Sequence, residues 1–229
     1  RGTDARPAAS GGGQGPRRNA RRPRQVKVLD ISSYIARSHQ AQAQPQVVEE
    51  QVVTRSFSDF QVHKTLYHNI VSQGFSTPTP IQDRVFDAVR DRRDVLGIAN
   101  TGTGKTGAFL IPLIDRMLAD PQQKLLVIAP TRELAVQIHD TFVALSRNTS
   151  LSSVMCIGGT HMANQITRLS RPHHAVIGTP GRILDLKKRG VLRTGEFRTV
   201  VLDEVDRMLD MGFVHDIRTI LSTLSSDRQ

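Results

Sequence analysis

Short apolar runs alternate with amphipathic stretches over most of the chain. An uninterrupted apolar run bounded by turn residues is typical of a buried strand, whereas apolar residues spaced three and four apart are typical of a helix. The first pattern predicts five strands, at residues 94–99, 124–129, 151–157, 175–178 and 199–202. The second predicts helices at 62–73, 80–92, 107–118, 132–146, 162–169 and 181–188, with further helical residues after 202 and up to 224.

The alternation of strands and helices predicts the fold class. Strands that are apolar throughout and separated by helices form parallel sheets covered on both faces. The expected fold is therefore α/β with three layers, a parallel sheet between two layers of helices. Ligands of such folds bind at the carboxyl ends of the strands. The residues that follow each predicted strand are thus the first candidates for a functional site.

Residues 99–106, Ala-Asn-Thr-Gly-Thr-Gly-Lys-Thr, join the first predicted strand to a helix. Glycines in such a loop let backbone N–H groups turn toward phosphate oxygens, and the positive end of the following helix points at the same anion. Lys105 can bind the β- and γ-phosphates, and the Thr106 hydroxyl can bind Mg²⁺. The first glycine of the G-x-x-x-x-G-K-[ST] pattern is replaced by Ala99. The alternative is an exposed Gly/Thr turn with a solvated lysine.

Two acidic residues end the predicted strand at 199–202. Asp203 and Glu204 would be delivered to the carboxyl edge of the sheet, on the side where the phosphate loop is expected. Asp203 can hold Mg²⁺ through its oxygens, and Glu204 can orient and deprotonate an attacking water. The alternative is an N-cap pair that begins a helix, a role open to Asp203. Together the two motifs predict nucleotide hydrolysis.

Composition narrows the class of protein further. The 229 residues are 38% apolar, enough for one sizeable core, and no apolar stretch approaches the ~18 residues that span a bilayer. No apolar segment follows the basic amino terminus, so we expect no secretory signal and a cytoplasmic protein. The single Cys156 is expected to be a buried strand thiol, and no Cys/His spacing predicts zinc.

The positive charge is concentrated at the amino terminus. Residues 1–27 carry eight basic residues and one acid, a net +7 of the total +10. Because residues 1–53 are rich in Gly, Pro, Arg and Gln, we expect a disordered basic tail and linker before a folded domain at 54–229. A basic arm of this kind suits a nucleic acid and leaves room for protein partners. The alternative is a solvated tail without a partner.

A series of motifs in a fixed order identifies a family resemblance. They are residues 74–82 (Gly-Phe-Ser-Thr-Pro-Thr-Pro-Ile-Gln) with the upstream Phe57, residues 99–106, residues 130–135 (Pro-Thr-Arg-Glu-Leu-Ala), the Gly158–Gly159 doublet, residues 179–182 (Thr-Pro-Gly-Arg) and residues 203–206 (Asp-Glu-Val-Asp). In this order they resemble the Q motif and motifs I, Ia, the glycine doublet, Ib and II of DEAD-box RNA helicases. Residues 57–229 therefore resemble the first RecA-like domain of that family.

The resemblance implies an ATP site with Mg²⁺ as cofactor. Lys105, Asp203 and Glu204 would be catalytic, and Thr106 and Asp203 would hold the metal. Gln82 would contact the adenine edge and Phe75 would stack on its ring; the alternatives are an exposed helix residue for Gln82 and core packing for Phe75. The implied ATP-binding residues are Phe57, Phe75, Gln82, Ala99, Asn100, Thr101, Gly102, Thr103, Gly104, Lys105 and Thr106.

The resemblance also implies an RNA track that contacts phosphates and sugars rather than base edges. Asp206 would couple this domain to a second one, and Arg132 has an alternative role as an ion-pair partner of a nearby acid. Val205 stands where the family's name-giving Ala would be, a change expected to cost little. The implied RNA-binding residues are Pro130, Thr131, Arg132, Gly158, Gly159, Thr179, Pro180, Gly181 and Arg182.

The function expected from this resemblance is that of an ATP-dependent RNA helicase. The chain ends at Gln229, before the family's second RecA-like domain, so we expect weak or no turnover from this chain alone. Two alternatives stay open. One is a DNA-directed helicase built on the same domain. The other is a nucleic-acid-binding protein that holds ATP without hydrolysing it.

Overall fold

A computed structural model of the protein describes residues 2, 53, 55–100 and 102–229. The predicted tail and linker, residues 1–53, lie outside the described residues except for Gly2 and Val53. Thr101 of the phosphate loop also lies outside them. The expectations for these residues stay predictions.

Four parallel strands form the centre of the domain. They are β1 (Leu125–Ile128), β2 (Ser153–Cys156), β3 (Ala175–Gly178) and β4 (Thr199–Leu202). Their order in the sheet is β2-β3-β1-β4, and β1 pairs in register with both neighbours, Leu125 lying opposite Ala175 and Thr199. The parallel sheet is thus confirmed, and the carboxyl ends of its strands lie at one edge.

Eight α-helices are described around this sheet, with bounds close to the predicted ones. They are α1 (Lys64–Ser72), α2 (Pro80–Arg90), α3 (Lys105–Ala119), α4 (Arg132–Leu145), α5 (Met162–Leu169), α6 (Pro180–Lys188), α7 (Val205–Asp210) and α8 (Val214–Leu221). A short 3₁₀ helix at Thr194–Glu196 was not predicted. Within the part of the chain that the structure describes, no helix is long and apolar enough to cross a membrane.

Alternate side chains of each strand enter two separate cores, as the two-residue period of a strand requires. Leu125 and Val127 pack with residues of α1 to α4, whereas Leu126 and Ile128 pack with residues of α5 to α8. Helices therefore cover both faces of the sheet, and the three-layer prediction is confirmed. Cys156 is fully buried in the second core, and burial raises the pKa of its thiol to about 12.

The predicted strand at 94–99 is wrong. Residues 94–99 do not join the described sheet, and Val95, Leu96 and Ile98 are 42%, 58% and 68% exposed. An apolar run becomes a strand only where a neighbouring strand can complete its hydrogen bonds, and no described strand lies beside this run. On that side the sheet ends at β4.

Gln229 lies beside β4 and contacts the residue that precedes 94–99. The N–H of Gln229 donates to the carbonyl of Arg198, and its carbonyl accepts from the N–H of Val200, at 2.9 and 3.0 Å. This is the hydrogen-bond pattern of a parallel pair. The Gln229 side chain donates to the carbonyl of Arg93 at 2.7 Å. Gln229 therefore separates β4 from the chain that enters residues 94–99.

Two leucine substitutions test this description of residues 94–99. Leu126→Ala removes a fully buried side chain and should lower the free energy of unfolding by about 2–5 kcal/mol. Leu96→Ala removes one that is 58% exposed and should change it by less than about 0.5 kcal/mol. Urea unfolding of both variants measures the difference. Similar losses for the two would show that Leu96 is packed into a core.

Candidate nucleotide and nucleic-acid site

The phosphate loop leads directly into helix α3. Gly104 is the N-cap of α3 and adopts a left-handed conformation with φ of 85°, a backbone state that glycine adopts without strain. Gly102 has the same φ, and the Thr103 hydroxyl donates to the carbonyl of Asn100 at 2.8 Å. The first turn of α3 contains no acidic residue, so no carboxylate of that turn neutralises the positive end of the helix beside Lys105 and Thr106.

The side chain of Gln82 lies against this loop and is only 3% exposed. Its Oε1 accepts from the N–H of Thr79 at 2.9 Å, and its Nε2 donates to the carbonyl of Gly104 at 3.1 Å. The alternative of an exposed helix residue is therefore wrong. A side-chain amide has two N–H donors and two acceptor positions, so Gln82 keeps one donor and one acceptor for a further partner.

Gly107 is a residue of this site that the sequence reasoning missed. A Cβ added at Gly107 would lie 2.7 Å from Nε2 of Gln82, as would one added at Gly104. Glycine inside a helix is less favourable than alanine by about 1 kcal/mol, so its presence early in α3 was a signal of close packing. Beside the loop, Oγ1 of Thr79 is buried without a hydrogen-bond partner among the described residues.

The two aromatic residues assigned to the ATP site differ in exposure. Phe57 is 2% exposed and packs edge-on against Phe60, with ring centroids 5.7 Å apart. Phe75 is half-buried, lies 6.3 Å from Phe57 between centroids and packs against the first core. Phe57 is thus a core residue, and Phe75 is partly packed against the same core. Their contact with a nucleotide stays a prediction.

Asp203 and Glu204 follow β4 at the carboxyl edge of the sheet. Asp203 is 9% exposed, and this burial raises the pKa of its carboxyl, while the nearby positive charge of Lys105 acts in the opposite direction. The structure thus brings the start of α3 and the acidic pair together. The N-cap of α7 is Glu204, with φ of 49°, so the acidic pair does begin a helix, with Glu204 rather than Asp203 at the N-cap. Oδ1 of Asp203 accepts from the N–H of Glu204 at 3.1 Å.

The guanidinium of Arg132 packs against the Gly158–Gly159 doublet. A Cβ added at Gly159 would be 2.1 Å from Nη1 of Arg132, and one added at Gly158 would be 3.3 Å from its Nη2. Among the described residues no acid forms an ion pair with Arg132, so its alternative role as an ion-pair partner is not observed. The glycines therefore leave room for an exposed guanidinium at the edge of the sheet.

The other residues of the predicted RNA track follow β1 and β3 at the same edge of the sheet. Thr131 caps α4, its Oγ1 accepting from the N–H of Leu134 at 3.2 Å, and the preceding Pro130 is buried. Thr179 is the N-cap of α6, which begins at Pro180. Gly181 is exposed and Arg182 half-buried, with Nη1 of Arg182 3.5 Å from the carbonyl of Thr160.

The remaining residues of the acidic motif face different surroundings. The side chain of Val205 packs against the second core, in keeping with the expectation that valine is tolerated there. Asp206 is exposed, and its predicted coupling to a second domain stays a prediction.

Comparison with known proteins agrees with these motifs. Residues 79–229 match the DEAD/DEAH box helicase family. The chain belongs to this family. The CshA DEAD-box ATP-dependent RNA helicase of Bacillus licheniformis is 40% identical over 178 residues, which are 77% of this chain and 37% of that protein. The ATP-dependent RNA helicase DeaD of Haemophilus influenzae is 41% identical over 180 residues, 76% of this chain and 29% of that protein.

The fold of this DEAD-box chain also matches a solved structure. A crystal structure of a DEAD box protein from the hyperthermophile Methanococcus jannaschii superposes with a TM-score of 0.72 and 35% identity. The match covers 76% of this chain and 48% of that one. The predicted RecA-like fold is therefore confirmed. The chain spans 37% or less of the length of the two curated relatives described above.

Burial of the Asp203 carboxylate should lower the stability of the fold. Replacing the carboxylate by an amide should restore that stability. Because its pKa is raised in the folded state, the charged form opposes folding at neutral pH. Asp203→Asn keeps the acceptor for the Glu204 N–H and should raise the midpoint of thermal unfolding at pH 7.5 by about 2 °C, without nucleotide or Mg²⁺.

The difference should shrink as pH falls through the raised folded-state pKa and vanish below the ordinary pKa of aspartate, where both states are protonated. Asp227→Asn, at an exposed position away from the site, is the matched control and should leave the midpoint unchanged. A lower midpoint for Asp203→Asn at pH 7.5 would show that the Asp203 carboxylate stabilises the fold.

Proposed function

We propose that this chain is the ATP-binding part of an ATP-dependent RNA helicase that hydrolyses ATP to unwind or remodel RNA duplexes. The observation that carries the proposal is the convergence of three features at one edge of the sheet. These are the start of α3 with Lys105, the buried Gln82 amide against Gly104, and the acidic pair after β4. Relatives that share this part of the sequence are named ATP-dependent RNA helicases.

The residues of the site fit a nucleotide. A helix start without an acidic residue in its first turn suits phosphates. The spare donor and acceptor of Gln82 suit the N6 and N7 edge of adenine, which an amide binds with two hydrogen bonds. The buried hydroxyl of Thr79, which has no hydrogen-bond partner within the described part of the chain, is a further polar group for which a ligand would supply a partner.

The site also fits Mg²⁺, held by Thr106 and Asp203. Among the described residues no group of three or more His, Cys, Asp or Glu side chains forms a complete metal site. Mg²⁺ at a nucleotide needs only one or two carboxylates, since phosphates and water supply its other ligands. The ion would supply charge neutralisation on the phosphates. Lys105 would bind phosphate oxygens directly, and Glu204 would accept a proton from the attacking water.

For RNA, we propose contacts that do not depend on base sequence. Thr131 and Thr179 begin helices at the edge of the sheet, and helix starts and glycine backbones bind phosphates rather than bases. Arg132, exposed over the glycine doublet, supplies a cation beside them. A basic tail at residues 1–53 would add non-specific attraction to the phosphate backbone.

Glu204→Gln tests the proposed hydrolysis. The amide has nearly the same shape but cannot accept a proton, so RNA-stimulated phosphate release by the full-length protein should fall by about 10²-fold or more. Binding of a fluorescent ATP analogue should stay within about threefold, because the assigned phosphate ligands are unchanged. Asp210→Glu, at an exposed position of the same helix α7, is a control that conserves charge at a residue with no assigned role.

Unchanged turnover in Glu204→Gln would remove the assigned base. Nucleotide binding with no phosphate release from the unsubstituted full-length protein would favour a binding protein without turnover. Stronger stimulation by single-stranded DNA than by RNA of the same sequence would favour the DNA-directed alternative.

Arg132→Ala tests the proposed RNA contact. Losing one phosphate contact should weaken binding to every single-stranded RNA sequence equally and should reduce the salt slope of log K by about 0.7. Deletion of residues 1–53 should reduce the slope further, because eight basic residues lie within positions 1–27. Fluorescence anisotropy between 50 and 200 mM salt measures both variants. A salt slope unaffected by either change would show that neither region binds phosphates.

A further inference from the structure

Arg55 reaches across to helix α2 from the chain segment that enters the domain. Its Nε donates to Oδ1 of Asp83, its Nη1 donates to Oδ2 of Asp87 at 2.7 Å, and its Nη2 donates to the backbone carbonyl of Asp83 at 2.5 Å. Three nitrogens of one guanidinium thus bind two successive turns of the same helix. Planar, multidentate binding of this kind is specific to arginine.

A second connection links Arg55 to the same helix through aromatic rings. The guanidinium carbon lies 4.9 Å from the centroid of the Phe60 ring. Phe60 stacks on Phe86 of α2 at 4.1 Å, with the ring planes 9° apart. Both phenylalanines are buried. Arg55 is therefore held in two ways, by the hydrogen bonds of its nitrogens to α2 and by the contact of its guanidinium with the Phe60 ring.

The contact with Arg55 lies on α2 directly beside Gln82. Asp83, bound through both its side chain and its carbonyl, directly follows Gln82. The Gln82 amide depends on a narrow geometry, since its Nε2 lies 3.1 Å from the Gly104 carbonyl and 2.7 Å from the Cβ positions of Gly104 and Gly107. A small shift of the first turns of α2 would move this amide relative to the phosphate loop.

The plainer interpretation is an ordinary surface ion pair. The Arg55 side chain is 33% exposed, and its partners Asp83 and Asp87 are 19% and 42% exposed. Exposed pairs contribute about 0–1 kcal/mol, so stability alone would give Arg55 little importance. Arg90 provides the direct comparison. It also pairs with Asp87, at 3.1 Å, and lies over Phe86 at 5.2 Å, but it sits at the other end of α2.

We propose that Arg55 is a positioning residue for nucleotide selection, holding the start of α2 so that the Gln82 amide meets the edge of an adenine. The inference rests on the proposed function, because it takes Gln82 as the residue that recognises the base. It assigns Arg55 no contact with the nucleotide. Its effect is therefore on the preference for adenine over guanine rather than on phosphate binding, which the loop at 99–106 would provide.

The test measures competition of ATP and of GTP against a fluorescent ADP analogue, using the whole chain. Arg55→Ala should reduce the preference for ATP over GTP about tenfold, mainly through weaker ATP binding. Arg55→Lys keeps the charge but not the three-point geometry and should give an intermediate preference. Arg90→Ala, which removes a similar ion pair and ring contact far from Gln82, should keep the preference within twofold of the unsubstituted chain.

Gln82→Ala separates failure of this inference from failure of the proposed function. If Gln82→Ala leaves the preference intact, the assignment of adenine recognition fails and the role of Arg55 fails with it. If Gln82→Ala abolishes the preference while both Arg55 variants retain it, only the Arg55 inference is overturned. An equal loss of ATP and GTP binding in Arg55→Ala and Arg90→Ala would show a general structural effect. Should Arg55→Ala unfold below the assay temperature, Arg55→Lys decides the question.

Discussion

Burial of a parallel sheet on both faces is the constraint on which the rest of this structure depends. Each strand must be followed by a helix that returns the chain to the opposite edge, so every strand ends on the same side. As a result Thr131 after β1, the glycine doublet after β2, Thr179 after β3 and Asp203 after β4 share one edge. Residues up to about 70 positions apart in sequence meet without any direct signal between them.

Close approach of a side chain to glycine backbone builds the details of that edge. Gln82 occupies the space where Gly104 and Gly107 lack side chains, and Arg132 occupies the space above Gly158 and Gly159. In both cases the polar side chain has room because the glycine lacks a Cβ. The glycines of these motifs thus make room for side chains, and on the proposed function their backbone N–H groups would also be free for anions.

Local signals in the sequence predicted most of the fold. Thr79 and Pro80 predicted the start of α2. The bounds of β3, β4 and α5 agree with the apolar pattern, because those segments are buried on the sides that the pattern indicated. The strand at 94–99 could not be judged in this way. An apolar run indicates that a segment favours burial. Whether it forms a strand depends on a neighbouring strand that lies far away in sequence.

The candidate site was predicted in its motifs but not in its supporting contacts. Lys105, Gln82 and Asp203 lie where the order of motifs required. Arg55 was missed because its partners are 28 and 32 positions away and nothing in their spacing indicates a helix bound from outside. Gly107 carried a weak local signal, since helices disfavour glycine, but only the position of Gln82 explains it.

Three features that oppose folding lie near the same edge of the sheet. Asp203 is a buried carboxyl with a raised pKa, Glu204 has a left-handed backbone that residues with a side chain rarely adopt, and the Thr79 hydroxyl is buried without a partner among the described residues. Each feature opposes folding, and a cation or a polar ligand group would offset the cost of the buried carboxyl and the buried hydroxyl. Stabilising contacts such as the Arg55 ion pairs lie outside this edge, on the helix that supports it. On the proposed function, this is the distribution expected of a binding site whose ligand would contribute to the stability of the fold.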